Sequence, residues 1–231
     1  MNLYFLVEGR QCERRVYPRW LSYLLPHFTQ VERFDVVQSN HYFLISGEGF
    51  PRLLTNHLPN AVADVNKVGR YAYLVLCLDA DEDTVAERTA EVCGYYSRAE
   101  RLLHDCELKI VVQNRCIETW FLGNPKILTR APQSRRLADF IRFYDVSVDD
   151  PEAMGVLRGY RNHADCHGTY LKEMFRERRI SYSKEQPGHV AEQAYLEQLL
   201  ARTSRDPSHL RSFQDFVQFC ADVRGRTRPA A

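Results

Sequence analysis

Three acidic residues of this chain stand where apolar runs end. Glu8 follows Leu3-Tyr4-Phe5-Leu6-Val7, and Asp79 and Asp81 follow the run from Tyr71 to Leu78. Both runs have the composition of strands buried on two faces, and in an open α/β sheet ligands sit beyond the carboxyl ends of such strands. Neighbouring strands lie ~4.8 Å apart, so the carboxylates of Glu8 and Asp79 can reach one point above the sheet edge. Asp81, two residues further on in a chain expected to be still extended, points the same way. Two carboxylates ~4 Å apart repel by ~4 kcal/mol at an effective dielectric near 20, so the arrangement calls for a cation. Hard carboxylate oxygens favour Mg²⁺ or Mn²⁺, which stabilises charge on a phosphoryl oxygen and makes a nucleophilic water available. The competing account of Asp79, Asp81 and Asp83 is a helix N-terminus, where acidic groups cap and complement the dipole. It fits Asp83 and Asp81 but leaves Glu8 unexplained.

Composition narrows the classes. A chain of 231 residues with 45% hydrophobic content can bury a sizeable core, its apolar runs are shorter than the ~20 residues of a membrane span, and it starts without a basic leader. Seven cysteines without a C-x-x-C pair read as reduced thiols. A soluble, cytoplasmic protein is the expectation, with no membrane partner. The formal charge of +1 excludes a globally basic binder. Nucleic-acid contact must come from the metal, from a partner subunit or from local clusters: Arg10, Arg14 and Arg15; Arg135 and Arg136; Arg176, Arg178 and Arg179; Arg224, Arg226 and Arg228. Taken singly, each cluster reads first as a solvated helix face or a frayed terminus.

The elements that must position the acids alternate. After the first strand, Val16, Trp20, Leu21 and Leu24 recur at helical spacing, with Pro18 kinking that helix or starting its main part. Phe34–Val37 and His41–Ile45 read as short strands, Phe50–Val68 as a helix with Pro51 near its start and Gly69 beyond its end. A helix from about Thr84 to His104 and a strand over Leu108–Val112 follow. The fold class is α/β, a mainly parallel sheet flanked by helices. Beyond Phe121 amphipathic helices take over at Leu137–Phe143, Ala153–Tyr160, Tyr170–Arg178, Val190–Leu200 and Leu210–Val223. The expected organisation is an α/β domain over 1–125 and a mostly helical C-terminal extension or cap over 126–231.

Leu6-Val7-Glu8-Gly9, with Glu13 shortly after and Leu78-Asp79-Ala80-Asp81 closing the next strong strand, resembles the topoisomerase-primase (TOPRIM) domain family. The form Glu8-Gly9-Arg10-Gln11-Cys12-Glu13 is most similar to small stand-alone TOPRIM proteins found near bacterial defence and mobile-element genes, and to the nuclease half of the overcoming-lysogenization-defect proteins. The resemblance covers roughly the first half of the chain. It implies Glu8 as general base or metal ligand, Asp79 and Asp81 as metal ligands, and Mg²⁺ or Mn²⁺ as cofactor. Glu13 matches a second acidic position, otherwise an ordinary helix glutamate. Glu118, in the E-x-W-x-L stretch Glu118-Thr119-Trp120-Phe121-Leu122, matches a segment of the stand-alone proteins and is read as a further ligand, unless it only caps its own helix. Lys184 could match a lysine that neutralises phosphate charge, against the reading of a solvated loop lysine. Gly9 and Arg10, directly after Glu8, are read as substrate contacts.

His163, Cys166 and His167 have zinc-ligand types without a fourth ligand, and are read as helix and loop residues, with His163 or His167 near substrate. The implied activity is a metal-dependent nuclease acting on DNA or RNA, an antiviral-defence effector with a separately encoded ATPase partner and possible oligomerisation. No Walker motif occurs in the chain itself. Other Asp-x-Asp enzymes fit less well: a dehalogenase-like phosphatase needs threonine at position 83, and a glycosyltransferase leaves Glu8-Gly9 without a task. The rival of another class is a non-catalytic TOPRIM-fold partner subunit of a larger assembly.

Overall fold

The computed structural model describes residues 1–100 and 102–227. In chain order the elements are β1 (Leu3–Val7), α1 (Cys12–Leu24), β2 (Thr29–Val31), β3 (His41–Ser46), α2 (Leu58–Val68), β4 (Tyr73–Asp79), α3 (Val85–Ser97), β5 (Glu107–Gln113), α4 (Ile117–Phe121), α5 (Arg135–Phe143), α6 (His163–Glu177), α7 (Gln193–Arg205) and α8 (Arg211–Arg226). The strands form one all-parallel sheet of five, ordered β2-β3-β1-β4-β5. The α/β expectation with a helical C-terminal part is met.

The unbroken apolar runs are explained by burial on both sides. Leu3, Phe5 and Val7 of β1 enter one core together with α1, whereas Tyr4 and Leu6 enter a second core built with α2. The helix after β1 therefore covers one face and the helices after β3 and β4 the other. Chains leaving the neighbouring strands β1 and β4 diverge, which opens a crevice at their carboxyl ends. Val7 pairs with Cys77 in the register, so Glu8 and Asp79 emerge side by side into that crevice.

The C-terminal helices pack on the α1 face. Trp20 of α1 stacks on Trp120 of α4 at 6.5 Å between ring centroids, and Tyr17 meets Phe216 of α8 edge-on at 5.2 Å. Buried ring N–H groups need acceptors, and these are present: Trp20 Nε1 donates to Val190 O at 3.0 Å and Trp120 Nε1 to Ser212 Oγ at 2.7 Å. One continuous apolar cluster thus runs from β1 to α8.

Several expected elements differ. The second strand is Thr29–Val31, an edge strand too short and polar to show a pattern, and Phe34–Val36 is a 3₁₀ turn whose ring packs on Phe43. The helix expected from Phe50 begins with a π-helical turn, Leu53–His57, before α2, which ends as expected at left-handed Gly69 (φ 61°). Pro18 lies inside α1, which starts earlier, at Cys12. The helix expected to reach His104 stops at Ser97; further on, the Asn66 amide of α2 donates to Leu102 O at 2.8 Å and its carbonyl accepts from His104 N at 2.9 Å. Ala153–Tyr160 is not helical beyond the 3₁₀ turn Pro151–Ala153, and Gly159 takes a φ of 103°. Arg228 of the tail cluster lies outside the described residues. Among the described residues no helix is long and apolar enough to cross a membrane.

Candidate functional site

Glu8 is held by backbone on both sides. Its N–H donates to Cys77 O at 2.9 Å and its carbonyl accepts from Gly49 N at 3.0 Å. Its carboxylate accepts the Asp79 N–H at 2.9 Å and the Phe50 N–H at 3.2 Å. Burial nonetheless holds the Glu8 carboxyl above its ordinary range. The Asp79 amide opposes that shift, the Asp81 charge adds to it, and the Phe50 amide and Arg88 oppose it.

Three further carboxylates join from other elements. Glu13, in the first turn of α1, is 7% exposed and folds back over Gly9, where a Cβ would stand 1.9 Å from Glu13 Oε2. The glycine that follows Glu8 thus leaves room for the Glu13 carboxylate in this position. Glu118 of α4 is 1% exposed, accepts the Tyr182 hydroxyl at 3.2 Å and pairs with Lys184 Nζ at 3.3 Å. Asp79 completes the set. Glu8, Gly9, Arg10, Glu13, Asp79 and Lys184 line an open cleft of about 420 Å³. The structure therefore gathers Lys184 with all the candidate acids but Asp81.

The charge balance of the cleft is strained. Burial raises the Glu13 carboxyl to about 7, with the Glu118 and Glu8 charges adding and its own amide and Lys184 opposing. Asp79 is pushed well above the usual range by burial first, then by Glu13, Glu8 and Glu118. Lys184 holds its proton more tightly than a free lysine, because Glu118, Asp79 and Glu13 outweigh its desolvation. One ammonium does not balance four acidic side chains, and without a further cation the cleft relieves the excess by holding protons. Two carboxylate oxygens, Asp79 Oδ1 and Glu118 Oε2, are buried without any partner, and such groups are rare because an unmet buried acceptor costs ~1–3 kcal/mol.

The donor set is all hard oxygen, which fits Mg²⁺ or Mn²⁺ and does not fit a thiolate-seeking metal. Among the described residues no three His, Cys, Asp or Glu side chains already surround a common point. Glu118 is drawn toward Lys184 and Tyr182, and Glu8 onto two amides, so a closed shell requires these side chains to turn inward.

Asp81 departs from the sequence expectation. The chain is not extended there: Asp81 has a left-handed φ of 53°, and its N–H donates to Arg115 O at 2.8 Å. Arg115 Nη1 then hoops the loop, donating to Glu82 O at 3.0 Å and Asp83 O at 2.9 Å. The Asp81 carboxylate lies 3.8 Å from buried Arg88, which also pairs with Asp83 at 3.0 Å and Glu91 at 2.7 Å. Asp81 therefore stands at the mouth, half exposed, and reaches the cluster through its charge on Glu8. The cap of α3 is Thr84, in a capping box with Glu87, so helix capping accounts for neither Asp79 nor Asp81.

Comparison with protein-family models, curated proteins and solved structures finds no match to this chain. The site is thus read from its own geometry. Arg10 sits at the rim, paired with Glu48 at 2.9 Å. His163 and His167 meet edge-on at 5.5 Å between ring centroids, but Cys166 is engaged elsewhere: His163 Nδ1 lies 2.7 Å from Glu82, His167 Nδ1 lies 2.8 Å from Thr119 Oγ1, and Cys166 Sγ accepts the Leu157 N–H at 3.4 Å. Sequence reasoning passed over Tyr182, Arg88 and Arg115. The first was visible only as the neighbour of Lys184, and the two arginines carry no spacing signal that ties them to the acidic loop.

Proposed function

We propose that this chain is a divalent-metal-dependent nuclease of the TOPRIM type that hydrolyses phosphodiester bonds in nucleic acid. The observation that carries the reading is the pair of orphaned buried oxygens, Asp79 Oδ1 and Glu118 Oε2, within a four-carboxylate cluster at the crevice between β1 and β4. Asp79, Glu118 and Glu8, with Asp81 at the mouth, are the residues to hold Mg²⁺ or Mn²⁺. Such an ion, when bound, supplies Lewis acidity toward a phosphoryl oxygen and lowers the pKa of water. Glu13 exchanges a proton near neutrality in the ion-free cleft, which suits a general acid or base. Lys184 brings a fixed positive charge to the place where phosphoryl oxygens gain negative charge. The sequence resemblance extends the proposal to a cytoplasmic defence effector that works with a separately encoded ATPase.

A second reading, a non-catalytic partner subunit of the same fold, is favoured by one observation. Both cations lining the cleft, Arg10 and Lys184, are already bound to carboxylates, Glu48 and Glu118. Incubating supercoiled plasmid, single-stranded DNA and total tRNA with the protein and Mg²⁺ or Mn²⁺ separates the two. Cutting by the wild type that is lost in Glu8→Ala and Asp79→Ala variants of matched fold supports the nuclease; intact substrates throughout support the partner subunit.

A further inference from the structure

The outer face of α1 carries a line of side chains that the acidic cleft does not use. Arg15, Arg19 and Tyr23 are spaced four residues apart, so they stand one above another on the helix surface. Arg15 and Arg19 are exposed, and their guanidinium groups have neither an ion-pair nor a hydrogen-bond partner among the described residues. The Tyr23 ring is 36% exposed, unusual for a large aromatic in this chain. This line walls a groove of about 590 Å³ whose opposite side is formed by Gln186, Pro187 and Gly188.

Groove and cleft border the same two elements but on different faces of α1. Glu13 meets the cleft, whereas Arg15 and Arg19, roughly a third of a turn or more around the helix from it, meet the groove together with Tyr23. The loop that sends Lys184 into the cleft continues into Gln186 and Pro187. A polymer laid along the groove from the N-terminal end of α1 meets the two guanidiniums first and Tyr23 last. We propose that this groove seats a single strand of nucleic acid running out of the cleft, with Arg15 and Arg19 on successive phosphates and a base against Tyr23.

The chemistry selects that occupant. Unpaired guanidinium forks match phosphate oxygens, and an aromatic ring takes an unpaired base, which a duplex does not offer. The eight residue steps from Arg15 to Tyr23 span ~12 Å along the helix and the four from Arg15 to Arg19 ~6 Å, room for a short run of nucleotides. With a net charge of only +1, the chain has no general field that would do this work. Glu192 borders the groove, but its carboxylate is held by His189 Nδ1 at 2.8 Å. The direction of the strand rests on the nuclease reading; the binding does not.

The test is fluorescence anisotropy of the full chain with a labelled single-stranded oligonucleotide in EDTA, so that neither metal nor cutting enters. Arg15→Ala/Arg19→Ala is expected to weaken binding at least about tenfold and to lower the slope of log affinity against log salt by ~1.4, or ~0.7 per lost phosphate contact. Tyr23→Ala is expected to weaken binding about five- to a hundredfold with the salt slope unchanged, and Tyr23→Trp to restore it. A control that removes two paired arginines elsewhere, Arg33→Ala/Arg142→Ala, should bind as wild type. The proposal is overturned if the stripe variants bind like wild type, if duplex or an acidic polypeptide binds as well as the single strand, or if the wild type does not bind. Cutting that persists unaltered in the stripe variants would overturn the groove alone, and strand binding without any cutting would overturn the nuclease alone.

Discussion

Glu8 Oε2 accepts the backbone N–H of Asp79 at 2.9 Å, so the carboxylate of one candidate ligand fixes the backbone of the other. Its second oxygen takes the Phe50 N–H at 3.2 Å and ties in the loop after β3. One side chain thereby aligns three segments at the sheet edge. Glu8→Ala should cost about 1–3 kcal/mol in stability through two amides left without an acceptor, besides removing metal-dependent activity. Glu8→Gln, which keeps an acceptor for one amide, should lose activity with a smaller shift of the urea midpoint. Equal stability losses in the two variants would contradict this account of the residue.

Asp79→Asn should make the ion-free protein more stable while abolishing its response to metal. The folded-state pKa of Asp79 is raised by burial and by Glu13, Glu8 and Glu118. A raised carboxyl contributes stability that is full below its ordinary pKa and is lost as pH rises through the folded value. At pH 8 in EDTA the variant should therefore melt higher, by ~2–4 °C for each kcal/mol relieved in a chain of this size. Mn²⁺ should raise the melting temperature of the wild type only. A lower melting temperature for Asp79→Asn under these conditions would count against a strained acid cluster.

Gly9→Ala probes the position of Glu13 without touching a charge. The new Cβ would overlap Glu13 Oε2, the movable end of a side chain, so Glu13 should swing out of the cleft. Stability is expected to change by less than about 1 kcal/mol, while metal-dependent cutting falls at least about a hundredfold, within the range for losing a positioned acid or base. Full activity in a well-folded Gly9→Ala protein would remove Glu13 from the mechanism.

His167 gives stability a pH dependence of the opposite sign. It is fully buried, contacts Thr119 Oγ1 at 2.8 Å, and burial lowers its pKa to about 4. A depressed folded value means the unfolded chain binds the proton more tightly. Stability is then complete above the ordinary value near 6.5 and declines as pH falls toward 4, by roughly 3 kcal/mol. Urea midpoints of the wild type should drop across that window more than those of His167→Gln, which does not titrate there; parallel curves would contradict the assignment.

The strands that carry Glu8 and Asp79 were legible because a strand buried on both faces must be apolar at every position, and an acid closing such a run stands out. Glu118 and Lys184 could be named from sequence, but not their contact, which depends on how the 182–188 loop packs against α1 and α4. Asp81 was misplaced because its left-handed turn is imposed by Arg115, a residue thirty-four positions away whose carbonyl and guanidinium grip the loop. The same dependence on distant contacts hid β2, where two exposed residues and one half-buried one pair only because β3 lies beside them.

The most direct test of the central claim is Mn²⁺ binding, followed by isothermal titration and by the paramagnetic resonance of free Mn²⁺, for the wild type beside Asp79→Asn and Glu118→Gln. The wild type is expected to bind Mn²⁺ and each variant, still folded, to bind it at least about tenfold more weakly, because each loses one of the two orphaned carboxylate charges. Absence of binding in the wild type, or equal binding in all three proteins, would contradict the metal centre and leave the fold as a scaffold.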